Sequence, residues 1–340
     1  MRAVRYDGSK VLLDPRAEAP APAPGEAIIR PLRVGLSTFD ALVNAGPPPA
    51  DLPPEPLTLG HEFVGVVESV AAEADLRKRW EGKRVVGSPT IACGKCDMCK
   101  GGLPNHCRAR RTLGVRGWDG ALAERLRLPL RNLAEVPPSV SDEQAVFATP
   151  LGAALHAATI VRIEGKPYVT VLGDGVDALL CAQVMVRLNA SVRVLGSSPE
   201  KFSLCEKWGI KHRHSAEAGR RHDQDIVVDC TGTPAGFALA LQLVRPRGKV
   251  VLRGDPACTG QACALPSSGP GARNDLSPLV ENEIELLGAR CGNPAEAIAR
   301  LAAAEIDVLP LITKRARLAD ALAALKAAAA PDQLKVVVEI

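Results

Sequence analysis

The chain has 340 residues, of which 46% are hydrophobic and 24% are charged, a composition typical of a globular protein with two domains. Its net charge is only +4, without runs of five or more like charges, which excludes the charged surface expected for binding nucleic acid or an anionic membrane. The apolar stretches are all shorter than the roughly 18 to 20 residues that span a bilayer. We therefore expect a small-molecule partner.

The first 138 residues are punctuated by proline and glycine and contain short β-branched runs, for example at positions 27–30 and 63–67. This pattern predicts a strand-rich domain with many turns. The opening residues 1–6 are typical of a strand and not of a secretion signal, so we expect a cytoplasmic protein. Residues 47–56 hold six prolines and are predicted to form a stiff surface loop.

Four cysteines follow with the spacing C-x2-C-x2-C-x7-C: Cys93, Cys96, Cys99 and Cys107. Four thiolates complete a tetrahedron and leave no coordination position for a substrate, so the spacing predicts a structural zinc lobe over residues 90–110. An iron–sulfur cluster or unligated thiols are the alternatives. We interpret the neighbouring His106 as a solvated loop side chain.

Between about residues 141 and 289, predicted strands at 168–172, 191–195, 225–229 and 249–252 alternate with predicted helices at 176–188, 201–208 and 235–244. This alternation predicts an α/β fold with a doubly wound parallel sheet. Two amphipathic helices, 294–304 and 318–329, and a strand, 334–340, are expected at the end of the chain. Of the scattered cysteines, Cys181, Cys205 and Cys230 are interpreted as small buried apolar groups, and a transient disulfide is conceivable between Cys258 and Cys263.

A glycine-rich turn joins the predicted strand 168–172 to the next helix. It contains Gly173, Asp174, Gly175, Val176 and Asp177, and Ala178 completes a G-x-G-x-x-A pattern. In such a turn the first glycine makes the bend, the second lets a pyrophosphate approach the backbone, and the amides of the helix N-terminus face the anion. A tight turn that binds nothing is the alternative, because Asp177 brings a carboxylate near the expected pyrophosphate.

The second predicted strand leads into Gly196, Ser197, Ser198 and, slightly later, Lys201. An acidic residue there would bind a ribose 2′-hydroxyl, whereas small hydroxyl residues with a lysine can accept a 2′-phosphate. The sequence therefore favours NADP(H) over NAD(H). Thr231 and Gly232, which follow the predicted strand 225–229, complete the candidate cofactor-binding residues.

The chain resembles the medium-chain dehydrogenase/reductase superfamily, in its zinc-containing alcohol, sorbitol and threonine dehydrogenase branch. The resemblance rests on the four-cysteine lobe and on residues 59–67 (LGHEFVGVV), 82–85 (GKRV), 149–151 (TPL), 173–175 (GDG) and 244–250 (VRPRGKV). It implies a GroES-like, β-rich catalytic domain built from residues 1–140 and 290–340, an inserted Rossmann domain over 141–289, and a homodimer or homotetramer.

The resemblance also implies a second, catalytic zinc between the domains, and here the sequence departs from the family. Ser37 stands where a cysteine ligand is expected, Thr149 replaces a glutamate or cysteine ligand, and Phe39 replaces a proton-relaying hydroxyl. His61 and Glu62 are retained. Because neutral hydroxyls are poor zinc ligands, we predict an absent or weak catalytic zinc.

The catalytic candidates are therefore His61 as general acid, Glu62 as the group that orients it, and Ser37 or Thr149 as donor to a substrate oxygen. A metal site rebuilt from His61, Glu62, Asp40 and water is one alternative, and a histidine kept for packing is another.

The predicted activity is NAD(P)(H)-dependent hydride transfer to or from a small carbonyl, alcohol or conjugated C=C substrate. A conventional zinc alcohol or polyol dehydrogenase and a non-catalytic cofactor-binding relative are the alternatives.

Overall fold

The computed structural model describes residues 1–45, 56–219, 221–254 and 276–340. The chain folds as two compact units: the first comprises Met1–Gly152 and Asn293–Ile340, and the second comprises Ala153–Gly292. Nearly all of the predicted proline loop, together with the cysteines at 258 and 263, lies outside the described residues. No helix in the described ranges is both long enough and apolar enough to cross a membrane.

Strands predominate in the first unit, whereas strands and helices alternate along the second. The strands are β1 (Ala3–Tyr6), β2 (Val11–Asp14), β3 (Glu26–Leu36), β4 (Leu57–Thr58), β5 (Glu62–Val70), β6 (Arg84–Gly87), β7 (Thr90–Ile91), β8 (Arg111–Leu113), β9 (Gly117–Trp118), β10 (Leu126–Pro129), β11 (Leu133–Glu135), β12 (Tyr168–Leu172), β13 (Ser191–Gly196), β14 (Lys211–His214), β15 (Gln224–Asp229), β16 (Val244–Leu252), β17 (Glu285–Gly288), β18 (Ile312–Arg317) and β19 (Lys335–Glu339). The α-helices are α1 (Thr38–Ala45), α2 (Ala74–Trp80), α3 (Asp97–Lys100), α4 (Asp142–Ala145), α5 (Ala148–Val161), α6 (Val176–Arg187), α7 (Phe202–Lys207), α8 (Pro234–Leu243), α9 (Ser277–Glu281), α10 (Pro294–Ala302) and α11 (Ala321–Ala328).

The first unit is built around a sheet in the order β11-β6-β5-β3-β19-β18, with β10 also paired to β3. The long strand β3 is antiparallel to β5, β10 and β19. Side chains such as Ile29, Val34 and Phe63 bury the apolar face of this sheet. The pairing aligns Gly35 with Glu62 and Leu36 with Val336, so the ends of three strands from distant parts of the chain meet at one edge of the sheet.

The second unit is a parallel sheet in the order β14-β13-β12-β15-β16-β17. From β12, the chain first adds β13 and β14 on one side of the sheet and then β15, β16 and β17 on the other side. The carboxyl ends of β12 and β15 are therefore the topological switch point where ligands bind in such sheets. The α/β prediction with a doubly wound parallel sheet is confirmed. The predicted strand 168–172 coincides with β12, and the neighbouring predicted strands and helices match within a few residues.

Three elements carry no usable pattern in the sequence. The strand β14 reads Lys-His-Arg-His and β17 is largely exposed, as edge strands often are. The helix α5 is apolar on nearly every face, so it lacks the amphipathic period that identifies a helix. The unit boundaries fall after the first turn of α5 and not at 140/141, because α4 packs against β3 and β5 of the first unit.

Candidate functional site

The four predicted zinc ligands form one cluster between β7 and β8. Their sulfur atoms all lie within 4.8 Å of one another, with 3.5 Å between Cys96 and Cys99 and 3.9 Å between Cys96 and Cys107. Thiolates around a tetrahedral zinc at about 2.3 Å stand about 3.8 Å apart, so this donor set fits a zinc ion. Among the residues that the structure describes, no other group of three or more histidine, cysteine or acidic side chains could hold a metal.

Local turns bring these sulfurs together. Gly94 and Gly102 adopt positive φ angles of 75° and 77°, which favour glycine. The N–H of Cys93 donates to the Cys107 sulfur at 3.2 Å. The backbone N–H groups of Arg108 and Cys99 lower the pKa of Cys96 to about 6, whereas burial and the hydrogen bond with Cys96 raise the pKa of Cys99 to about 12. The backbone of the lobe therefore favours the thiolate form of Cys96.

Ser37 and Asp40 form a closed hydrogen-bonded pair at the start of α1. Asp40 Oδ2 accepts hydrogen bonds from the backbone N–H and the hydroxyl of Ser37 at 2.9 and 2.6 Å, and the Asp40 N–H donates back to Ser37 Oγ at 3.2 Å. Asp40 Oδ1 accepts from Gly60 N–H at 3.0 Å, and the Asp40 side chain is fully buried. This reciprocal arrangement is a helix-capping box. It differs from the predicted roles, because the Ser37 hydroxyl is donated to Asp40 and both Asp40 oxygens already accept hydrogen bonds.

His61 lies directly before β5 and is half-buried. Its Nδ1 is buried and has no hydrogen-bond partner among the described residues. The preceding Gly60 has φ +90°, and a Cβ there would lie 2.9 Å from the Leu122 side chain. Gly60 is therefore required both for the backbone conformation and for the space beside His61.

Glu62 faces a lysine and not His61. Its Oε2 accepts from Lys335 Nζ at 2.6 Å, and Lys335 Nζ also donates to the Leu36 carbonyl at 3.2 Å. The Glu62 and Lys335 side chains are only 6% and 4% exposed. A Cβ at Gly35 would lie 2.8 Å from Glu62 Oε2, so the missing side chain makes room for the carboxylate. Glu62 was predicted to orient His61, but in the structure it pairs with Lys335 instead.

Lys335 was not among the residues that the sequence analysis singled out. The only available signal is a lysine at the start of an otherwise apolar strand, Lys-Val-Val-Val-Glu. Its ammonium group also lies 6.0 Å from the centre of the Phe147 ring. Two residues further on, Thr149 is half-buried in the first turn of α5. The structure thus brings Ser37, Asp40 and the backbone beside His61 into one network, and Glu62 into another.

The cofactor candidates of the second unit surround the carboxyl ends of β12 and β13. Gly173 has φ +107° and its N–H donates to the Leu195 carbonyl at 2.8 Å, while Gly175 is the N-cap of α6. Asp177, in the first turn of α6 after Val176, pairs with Arg253 at 3.0 Å. Arg253 therefore neutralises the carboxylate that would otherwise repel an anion at this helix N-terminus.

Asp174 is turned toward the end of β13. Its carboxylate accepts hydrogen bonds from the backbone N–H groups of Ser197 and Ser198 at 2.6 and 2.8 Å, and from Lys201 Nζ at 3.3 Å. Burial by itself would raise the pKa of Asp174, but the Ser197 N–H, the Lys201 charge and the Ser198 N–H together hold this pKa below its ordinary value. The Ser197 hydroxyl, which donates to Asp174 at 3.4 Å, and Lys201 Nζ are side-chain groups that the sequence assigns to a 2′-phosphate, and both thus bind a side chain of the protein.

Thr231 and Gly232 lie in the turn after β15. Asp229 Oδ1 accepts from the N–H and the hydroxyl of Thr231 at 2.8 and 2.6 Å, and Gly232 has φ +63°. Burial raises the pKa of Asp229, although both Thr231 hydrogen bonds oppose the shift. Because Leu172 and Asp229 are register partners, this turn and the glycine turn after β12 lie side by side at the switch point.

Comparison with known proteins agrees with this architecture. Residues 23–138 match the alcohol dehydrogenase GroES-like domain. The L-threonine 3-dehydrogenase of Idiomarina loihiensis is 32% identical over 215 residues, which cover 60% of this chain and 62% of that protein. The 2-dehydro-3-deoxy-L-galactonate 5-dehydrogenase of Pseudoalteromonas atlantica is 27% identical over 94% of this chain and 93% of its own length.

A solved structure shares the whole fold. A zinc-binding dehydrogenase from Sinorhizobium meliloti 1021, bound to NADP, is 25% identical with a TM-score of 0.84, covering 100% of this chain and 99% of that chain. The threonine dehydrogenase alignment, by contrast, spans less than two thirds of that relative's length. The family resemblance and the GroES-like and Rossmann architecture expected from the sequence are confirmed. Residues 23–138 belong to the alcohol dehydrogenase GroES-like domain family, and the chain as a whole is similar to the medium-chain dehydrogenase/reductase superfamily, in its zinc alcohol and threonine dehydrogenase-like branch.

Proposed function

We propose that this protein is an NAD(P)(H)-dependent oxidoreductase that acts on a small molecule. The observation that carries the proposal is the glycine turn from Gly173 to Gly175 at the switch point of a parallel sheet, with Asp177 neutralised by Arg253. A helix N-terminus in this setting attracts a pyrophosphate. The sequence favours NADP(H) through Ser197, Ser198 and Lys201, but in the structure these residues donate hydrogen bonds to Asp174, so the proposal names a nicotinamide dinucleotide and not NADP(H) in particular.

One structural zinc per chain is the second part of the proposal, with Cys93, Cys96, Cys99 and Cys107 as its ligands. The sulfur separations of 3.5 and 3.9 Å, and a cluster that holds four cysteines and no fifth histidine, cysteine or acidic donor among the described residues, favour a closed, four-coordinate ion. Such an ion stabilises the lobe and does not touch a substrate.

A catalytic zinc does not fit the residues of the first unit. Ser37 donates its hydroxyl to Asp40, both Asp40 oxygens accept hydrogen bonds, and Glu62 is paired with Lys335. Only His61 keeps an unpartnered ring nitrogen among the described side chains of this group. A single imidazole does not hold zinc against water, so we propose chemistry without a metal at this position.

A nicotinamide dinucleotide held at the turn from Gly173 to Gly175 would supply or accept a hydride. His61 is then the residue that gives a proton to, or takes one from, the substrate, because its Nδ1 has no hydrogen-bond partner among the described residues and histidine is the commonest general acid or base. Thr149 can donate a hydrogen bond to a substrate oxygen, whereas the hydroxyl of Ser37 is already donated to Asp40. Without a metal to polarise a simple carbonyl, reduction of a conjugated C=C bond is the favoured reaction, since hydrogen bonds stabilise an enolate.

A non-catalytic cofactor-binding protein is the second candidate. Phe39, at the position where the family carries a proton-relaying hydroxyl, packs against the apolar core of the first unit. The proton path that the family resemblance implies is therefore missing at this point.

Three measurements on the purified full chain test these proposals. Elemental analysis is expected to give one zinc per chain; two would support a conventional zinc alcohol or polyol dehydrogenase, and none would refute the structural site. Nicotinamide fluorescence is expected to report binding of NADPH or NADH, and failure of both at millimolar concentration would refute the oxidoreductase.

Turnover assays with alcohols, aldehydes and enones separate the enzyme from the non-catalytic relative, which would bind cofactor tightly without turnover. His61→Gln is expected to lower kcat on the order of 10²-fold or more, the usual contribution of a general acid. The exposed His222, replaced by Asn, is the matched control, because it has φ +49° and asparagine tolerates this conformation.

The assembly and location of the protein remain proposals. The family resemblance implies a homodimer or homotetramer, and the sequence favours the cytoplasm. Light scattering of the zinc-loaded protein tests the first proposal, because a monomer would contradict it.

A further inference from the structure

The carboxylate of Asp174 accepts three hydrogen bonds at the end of β13 and a fourth, at 3.4 Å, from the Ser197 hydroxyl. Two of the three donors are backbone N–H groups, of Ser197 and Ser198, and the third is the Lys201 ammonium group. The Asp174 and Lys201 side chains are only 12% and 9% exposed, so solvent screens their ion pair weakly. This carboxylate is therefore held in place and ionised.

The backbone around Asp174 is shaped to receive it. A Cβ at Gly196 would lie 2.6 Å from Asp174 Oδ2 and 2.8 Å from Asp174 Cβ. Only glycine at the end of β13 lets the aspartate side chain pack against the strand. Asp174 itself lies between Gly173 and Gly175, the two glycines of the cofactor turn, so the same turn that is proposed to receive the pyrophosphate also positions the carboxylate.

A 2′-phosphate of NADP(H) would need the donors that Asp174 now uses. The phosphate carries close to two negative charges at neutral pH, and like charges brought within a few ångströms repel strongly in a partly buried site. A ribose 2′-hydroxyl has no charge and can donate a hydrogen bond to a carboxylate. Asp174 is therefore expected to repel the 2′-phosphate of NADP(H) and to accept a hydrogen bond from the ribose 2′-hydroxyl of NAD(H).

We propose that Asp174 is a specificity-determining residue that competes with the 2′-phosphate of NADP(H) for Ser197, Ser198 and Lys201, and so lowers the affinity for NADP(H) relative to NAD(H). This inference rests on the proposed dinucleotide binding. It assigns to the glycine turn a second role beyond receiving the pyrophosphate, because a residue of the turn sets the balance between the two cofactors.

The test is a pair of fluorescence titrations, with NADPH and with NADH, on the zinc-loaded full chain. The measured quantity is the ratio of the NADH to the NADPH dissociation constant, compared among wild type, Asp174→Ala and the isosteric Asp174→Asn. Both variants are expected to raise this ratio, by about tenfold for Asp174→Ala, which corresponds to about 1.4 kcal/mol. Calorimetric titration with 2′,5′-ADP and 5′-AMP repeats the comparison without the nicotinamide ring.

Glu200→Gln is the matched control, since it also removes one negative charge near β13 but Glu200 is exposed and accepts none of these three hydrogen bonds. Its ratio is expected to equal that of wild type. Adding Lys201→Met to Asp174→Ala is expected to cancel much of the gain, because the freed cation is lost.

Thermal unfolding and circular dichroism identify any variant that fails to fold. If Asp174→Ala fails to fold, Asp174→Asn alone is compared with wild type. A ratio for Asp174→Asn and Asp174→Ala within about threefold of wild type, which is about 0.7 kcal/mol, would overturn the inference while leaving the proposed function intact. If wild type and all variants bind neither dinucleotide nor fragment, the proposed function fails and the inference fails with it.

Discussion

Replacing Lys335 by methionine is the sharpest test of the network in the first unit. The substitution keeps the length of the side chain but removes the ammonium group that lies 2.6 Å from Glu62 Oε2. Glu62 would remain 94% buried without a cation, since its side chain is only 6% exposed in the pair. Removing one partner of a buried ion pair costs about 3 to 5 kcal/mol, because the other charge is left uncompensated.

The loss should be smaller in the double variant Glu62→Gln with Lys335→Met, because no charge is then left buried. The expected coupling between the two sites is on the order of 1 to 3 kcal/mol, the range found for residues in direct contact. The exposed pair of Lys83 and Glu135, whose charged atoms lie 2.8 Å apart, provides the control. Lys83→Met is expected to cost at most about 1 kcal/mol, since solvent screens an exposed pair.

The protein has two units, and amide hydrogen exchange followed by mass spectrometry measures these changes in stability separately in each of them. Peptides from β3 and β19 should exchange faster in Lys335→Met, whereas peptides from β12 should serve as an internal reference. Equal protection of β3 and β19 in Lys335→Met and Lys83→Met would refute the view that the Glu62–Lys335 pair anchors this edge of the sheet.

Three further predictions concern single side chains. Cys99→Ser should lower the zinc content from one to well below one per chain, whereas Cys205→Ser, outside the cluster, should leave it unchanged; equal zinc in both variants would contradict the ligand assignment. Asp40→Ala should cost about 1 to 3 kcal/mol of unfolding free energy in urea titrations, because Gly60 N–H loses its buried acceptor, and an unchanged midpoint would contradict the structural role. Asp174→Asn should be less stable than wild type at pH 7, and the difference should shrink as the pH falls through the native pKa of Asp174, which lies below the ordinary value of an aspartate, because a carboxylate with a lowered native pKa stabilises the fold only while it is ionised; a difference that stays constant over the whole acid range in which both proteins fold would contradict this.

Much of the fold was predictable from local patterns. The alternation of buried strands with helices predicted the parallel sheet, and the predicted strand 168–172 has the same bounds as β12. The spacing of the four cysteines predicted their cluster, because loops this short can fold only around a common centre. The glycine turn was also predictable, because Gly173 adopts a positive φ angle, which favours glycine.

The pairing of charged side chains was not predictable in the same way. Glu62 was expected to orient the adjacent His61, yet it binds Lys335, 273 residues away. Asp174 was expected to be one residue of a cofactor turn, yet its partners lie 23 to 27 residues further on, at the end of the next strand. In both cases the partner depends on which strands are neighbours and in which register.

The sequence by itself therefore determined the elements that depend on short spacing: the cysteine cluster, the glycine turn, the buried strands and the loss of two expected zinc ligands at Ser37 and Thr149. Only the tertiary structure decided which groups neutralise Glu62 and Asp174. The physical reason is that a buried charge needs a partner, and strand pairing, which no local pattern encodes, decides which partner is within reach.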